Sequence, residues 1–204
     1  MAISQDITMG IYAAILFAAY LRPGEGQNLL GQNVLPPQGS MTSPTAVVAL
    51  NMAPRELQMH SKTLTWDDTI LLDCDVMPWL GSAVLALAQR AGPNDTIFKF
   101  QPEDVRDVFA QSVAALGLPN DSVLYQFRHS GASYDLLFRK REYEVIKARG
   151  RWRTETSMRR YAKQGRVQRL MGTLSPQVTR YCQESVERIG KIVARQLIPQ
   201  RPPK

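Results

Sequence analysis

The chain has 204 residues, 44% of them hydrophobic, which is enough for one well-cored domain and too few for two. Its two cysteines, Cys74 and Cys182, have no Cys-x-x-Cys spacing, and His60 and His129 stand far apart with no ligand partner at helical spacing. A disulfide framework, a structural zinc site and metal catalysis are therefore not indicated. The formal charge of +7 is unevenly placed, with 6 Lys and Arg against 11 Asp and Glu in residues 1–120, and 19 against 7 in residues 121–204. The basic surface belongs to the second half and suits an anionic partner.

The apolar stretch from Ile11 to Leu21 is shorter than the roughly 20 residues a membrane span needs. It also lacks a basic leader and runs into Arg22-Pro23-Gly24-Glu25 rather than a cleavage site. It reads as a core helix over 7–21, stopped by Pro23, with no membrane partner expected. Residues 31–44, rich in Gly, Pro, Gln and Ser, read as a loop, and Ala46-Val47-Val48-Ala49-Leu50 as a buried strand. Residues 56–62 and 69–72 are two further strands, joined by a turn ending in Asp67-Asp68, which completes a small antiparallel sheet.

The remainder is mainly helical. A helix over 76–90 stops at Gly92-Pro93, and one over 102–116 has acidic residues in its first turn and Gly117 past its end. Residues 125–138 place Phe127, Gly131, Tyr134 and Phe138 on one face, expected to point inward. A short helix over 143–149 ends at Gly150, and another over 154–162 opens with a capping box at Thr154. After a break at 172–176, a helix over 177–197 carries Val178, Cys182, Val186, Ile189 and Val193 on one face. Residues 198–204 read as a disordered tail. The whole is an α+β, mainly helical single domain over 1–197, with its core in 7–171.

Tyr161 sits in a run that includes Arg149, Arg151, Trp152, Arg153, Arg159 and Arg160, where guanidinium groups would attract and partly neutralise a phosphate beside a phenol. In-line transfer of a phosphodiester needs a nucleophile, neutralisation of the non-bridging oxygens and a proton donor for the leaving alkoxide. Tyr161 suits the first role, Arg22 and Arg128 the second with Trp152 as an indole donor, and Lys62 the third, all without a metal.

The blocks Arg128-His129-Ser130-Gly131-Ala132-Ser133, Gly150-Arg151-Trp152 and Tyr161 resemble, in order and spacing, the catalytic domain of the tyrosine recombinases. Tyr20-Leu21-Arg22-Pro23-Gly24-Glu25 is similar to that family's first arginine box. Ser61-Lys62-Thr63 with Asp67-Asp68-Thr69-Ile70-Leu71-Leu72 is similar to its lysine-bearing hairpin. The Arg-Pro-Gly-Glu and Gly-Arg-Trp variants resemble crypton-type mobile-element recombinases. The resemblance covers roughly residues 7–161. It implies a tyrosine-recombinase fold with a small three-stranded sheet, and site-specific cleavage and rejoining of double-stranded DNA through a 3′-phosphotyrosine on Tyr161. Arg22 and Arg128 would hold the phosphate, Lys62 would protonate the leaving 5′-oxygen, and Trp152 would fill the site usually taken by His or Trp. No cofactor is implied. The expected partners are double-stranded DNA and further copies of the chain in a tetramer. The expected location is intracellular, in the nucleus of a eukaryote and the cytoplasm otherwise.

The supporting residues are Tyr125, where the family usually has His or Lys, Glu25 as the acid that orients Arg22, and His129 packed beside the catalytic arginine. Arg139, Lys140, Arg141, Arg151, Arg153, Arg159 and Arg160 are expected to contact the DNA backbone. Trp66 and Trp79 read as packing aromatics and Asp67, Asp68, Asp73 and Asp75 as surface carboxylates. About six residues precede the first helix, so an N-terminal DNA-clamp domain is expected to be absent. Two alternatives to a recombinase or integrase remain at this stage: a catalytically inactive DNA-binding remnant of the same fold, and type IB topoisomerase-like strand relaxation.

Overall fold

The computed structural model describes residues 5–37, 47–52, 68–154, 169 and 171–197. It is mainly helical with a three-stranded antiparallel sheet, an α+β arrangement. Helix α1 (Gln5–Ala18) is apolar on nearly every side and therefore sits in the middle of the core, where Ile11, Ile15 and Leu16 are buried. It ends three residues before the expected Leu21. Tyr20 takes a left-handed backbone, φ 49°, which no regular right-handed helix accommodates. Pro23 then opens the single-turn helix α2 (Pro23–Gln27) at its first position, where a missing N–H costs nothing.

A 3-10 turn (Gly31–Asn33) leads into β1 (Val34–Leu35), followed by β2 (Ala49–Met52) and β3 (Asp68–Leu71), in the order β1-β2-β3. Val34 pairs with Leu50, and Leu50 with Ile70. The sheet thus contains a short strand from the stretch that sequence assigned to loop. The strand expected over 56–62 lies outside the described residues, as does the helix expected over 154–162 beyond its first residue, Thr154. The buried faces of the sheet close on α1 and on α3 (Leu80–Ala91), which is capped by Gly92 at φ 90°.

Helix α4 (Pro102–Ala115) starts with proline, and the Gln101 N–H donates to Asp104 Oδ2 at 3.2 Å. Helices α5 (Gln126–Leu137) and α6 (Tyr143–Arg149) follow. The buried face of α5 is Arg128, Gly131, Ala132 and Asp135; Gly131 points inward as expected and Phe127 packs half-buried on the core, but the face is centred on the two charged residues instead of the aromatics. Phe138 lies past the last helical residue and is 63% exposed. The helix is turned so that its two charged residues reach partners on the α1–α2 corner. That turn is sterically possible because Gly131 passes the Phe17 carbonyl so closely that a Cβ would collide with it.

Helix α7 (Pro176–Leu197) docks on α3 through Val193, Leu197 and Gly190, the last against the Trp79 ring. Only the C-terminal end of its apolar stripe is covered. Val186 and Ile189, on the same face, remain 51% and 44% exposed. Among the described residues no helix is long and apolar enough to cross a membrane.

Candidate active site

Residues 18–25 form the corner between α1 and α2, and α5 and the end of α6 pack against it. Glu25, in the first turn of α2, organises the arginines there. Its Oε2 accepts the Arg22 backbone N–H at 2.8 Å and the Arg151 Nη2 at 2.6 Å, while its Oε1 accepts Arg22 Nη1 at 2.6 Å. Arg128 Nη1 lies 3.9 Å from the same carboxylate. Burial pushes the Glu25 carboxyl upward, but the guanidinium groups of Arg151, Arg22 and Arg128 and the Arg22 N–H outweigh it and hold the group below its ordinary range.

Arg128 is the largest fully buried side chain among the described residues, at 0% exposure. Its Nη1 donates to the Tyr20 carbonyl and its Nη2 to the Gly150 carbonyl, and its Nε has no hydrogen-bond partner among the described residues. The Trp152 ring lies over the guanidinium, 4.8 Å from centroid to Cζ, and stacks on Tyr20 at 6.0 Å. Burial, then the charges of Arg151 and Arg22, push the Arg128 pKa down to about 10. An arginine stays protonated at neutral pH all the same, so the direction records first the cost of burying the charge and then its crowding by two other cations.

The residue after Gly150 carries the turn. Arg151, at φ 53°, is the left-handed residue that closes α6, with its N–H on the Ala148 carbonyl at 2.8 Å and the Trp152 N–H on Lys147 at 3.1 Å. Gly150 itself has φ −81° and is needed for space, because a Cβ there would strike the Trp152 ring. The turn swings Arg151 inward to Glu25 with 3% of its side chain exposed. It does not stand on the outer face where backbone contacts were expected.

A second charge cluster lies behind the first. Arg149 donates to the Ala18 carbonyl at 2.7 Å and to the Leu71 carbonyl at 2.7 Å, and pairs with Asp73 at 3.2 Å. Arg141 bridges Asp135 at 2.7 Å and Asp73 at 2.7 Å. The Tyr20 hydroxyl donates to Asp135 Oδ2. Here two arginines face two carboxylates. Arg141 is thus held by carboxylates, and Asp73 lies at the surface as expected while pairing with both arginines. Lys140 pairs with Asp75 at 2.6 Å on the outside. Asp135 carried no motif signal, and the parts played by Tyr20, Asp73 and Arg149 could not be read from the sequence because each depends on a contact more than sixty residues away.

Of the residues singled out by sequence, Arg22, Glu25, Arg128, Arg151 and Trp152 come together. Tyr125 caps α5 and its ring meets His129 edge-on at 4.7 Å, placing both on the helix that carries Arg128. Arg139 and Arg153 are exposed. Lys62, Arg159, Arg160 and Tyr161 lie outside the described residues, as do His60, Trp66 and Asp67. No cluster of His, Cys, Asp or Glu suited to a metal ion occurs among the described residues. Compared with protein-family models, with curated proteins and with solved structures, the chain gives no match.

Proposed function

We propose that this chain is a DNA strand-transfer enzyme of the tyrosine-recombinase type, acting as a site-specific recombinase or integrase. The observation that carries the reading is the convergence of Arg22, Arg128 and Arg151 on the one carboxylate of Glu25. Three guanidinium groups against one anion leave a local excess of positive charge, and a phosphodiester is the ligand chemistry that relieves it. Arg22, with 25% of its side chain exposed, is the member open to an incoming phosphate.

In this mechanism the Tyr161 hydroxyl gives up its proton to solvent as its oxygen attacks the scissile phosphorus, and a P–O bond to tyrosine forms as the P–O5′ bond breaks. Lys62 gives its proton to the leaving 5′-oxygen. Arg22 and Arg128 carry the charge on the non-bridging oxygens. A 5′-hydroxyl from another strand then reverses the step and reseals the DNA, which conserves the bond energy in the phosphotyrosine. The exposed stripe of α7 supplies a surface for a neighbouring copy in a tetramer.

The complete burial of Arg128 favours a second reading, a DNA-binding remnant of the same fold without chemistry. A nicked suicide duplex decides between them. Wild-type protein is expected to become covalently attached to DNA, and Tyr161→Phe to lose the adduct while still binding. Binding without an adduct, across a library of duplex sequences, gives the remnant reading instead.

A further inference from the structure

Tyr20 is gripped at both ends by α5. Arg128 and Asp135 lie seven residues apart on the same buried face of that helix, with Gly131 and Ala132 between them. Arg128 donates to the Tyr20 carbonyl and Asp135 accepts from the Tyr20 hydroxyl. The carbonyl faces Arg128 because Tyr20 has a left-handed backbone, φ 49°, a conformation that a bulky non-glycine residue seldom adopts. Something must hold it there. The ring is 1% exposed, has the Arg149 guanidinium 5.4 Å over its face, and stacks on Trp152. Its hydroxyl is anchored on an Asp135 that Arg141 in turn fixes at 2.7 Å.

The geometry points to Tyr20 and, through it, Asp135 as positioning residues that orient the Arg128 guanidinium toward the reacting phosphate. Neither touches the phosphate. The hydroxyl–carboxylate contact locks the tyrosine side chain, the locked side chain maintains the left-handed backbone, and that backbone presents the carbonyl against which Arg128 is aimed. Through Tyr20, Asp135 also ties the neutral cluster that it forms with Arg141, Arg149 and Asp73 to the positively charged one around Glu25. The inference rests on the reading that Arg128 binds the scissile phosphate.

The test uses the full chain with a suicide duplex and three variants: Tyr20→Phe, which keeps the ring, Asp135→Asn, which keeps the shape, and the double substitution. Cleavage is measured at saturating DNA and normalised to folded protein, alongside DNA affinity. Each single variant is expected to slow adduct formation by about ten- to a hundredfold, the scale of a small misplacement of a reacting group. DNA affinity should change less than about threefold, since the outer cations supply it. The double variant should be no slower than the worse single one, because both remove the same contact. Wild-type cleavage rates in folded Tyr20→Phe and Asp135→Asn, or fully multiplicative losses in the double variant, overturn the proposal. Arg128→Ala separates the two levels. If it cleaves like wild type, or if wild type forms no adduct, the phosphate-binding reading itself fails.

Discussion

Glu25→Gln removes the one carboxylate that Arg22, Arg128 and Arg151 share and leaves the shape of the side chain intact. Removing one partner of a buried ion pair costs about 3–5 kcal/mol. Two features lower that figure here. Glu25 and Arg22 retain 22% and 25% exposure, and the glutamine oxygen can still accept the Arg22 N–H. A loss of about 2–3 kcal/mol follows, or about 4–12 °C in thermal midpoint for a chain of this size. The pH dependence gives the sharper check. The folded-state pKa of Glu25 is depressed below its ordinary 4.5, so its contribution is fully present above that value and is lost as pH falls through the folded value. Denaturant unfolding of wild type and variant should therefore differ most at neutral pH and converge in acid. The variant also keeps three guanidinium groups with no carboxylate between them, so sulfate should raise its midpoint more than that of wild type. Equal stability at pH 7, or a difference that persists unchanged below the folded pKa, refutes the assignment of Glu25 as the anion that holds the cluster together.

Gly131→Ala should destabilise the chain by about 3 kcal/mol or more, read by denaturant unfolding, because the new methyl group meets the Phe17 carbonyl with no flexible side chain to move aside. Trp152→Ala should cost about 1–3 kcal/mol by the same measurement, for a half-buried ring that packs on Tyr20 and over Arg128. In a chain with Trp66 and Trp79 replaced by Phe, wild-type Trp152 emission should change on binding a DNA phosphate, since the ring must shift for a phosphate to reach the covered guanidinium. Val186→Asp should leave monomer stability within about 0.5 kcal/mol, as the site is exposed, and should reduce assembly of copies on DNA in sedimentation experiments.

The parts of the fold legible from sequence were those with local punctuation. Pro102 and Gly117 bracket α4, and the acidic first turn follows from the dipole of the helix start. Helix α6 has the expected bounds. Strand β1 was hidden because two residues give no alternation, and its pairing with Leu50 is made from outside its own segment. The inward face of α5 was assigned by aromatic spacing, yet the helix buries Arg128 and Asp135, whose partners on the α1–α2 corner no window of sequence contains. In the same way, Gly150 announced the end of α6 while the left-handed residue is Arg151, because the glycine is reserved for the Trp152 ring. The arginine and Gly-Arg-Trp blocks identified what gathers at the site. They did not show that Arg151 is buried on Glu25, or that Tyr20 stands behind Arg128.

The two charge clusters differ in a way that bears directly on function. Arg141 and Arg149 face Asp73 and Asp135, so that cluster is balanced, and a balanced buried network is what a structural role requires. Arg22, Arg128 and Arg151 face Glu25 alone. If the cluster around Glu25 served only to fasten α2 to α5 and α6, one arginine with one carboxylate would do so without the repulsion from Arg151 and Arg22 that adds to burial in lowering the Arg128 pKa. Holding three cations against one carboxylate leaves the folded chain an unfavourable term that an arriving anion would remove. Tyr20 links the clusters, with its hydroxyl on the balanced one and its carbonyl on the unbalanced one. The neutral network can then serve as the rigid base from which the charged one is aimed, which is why loss of a contact deep in the first should be felt as a loss of rate at the second.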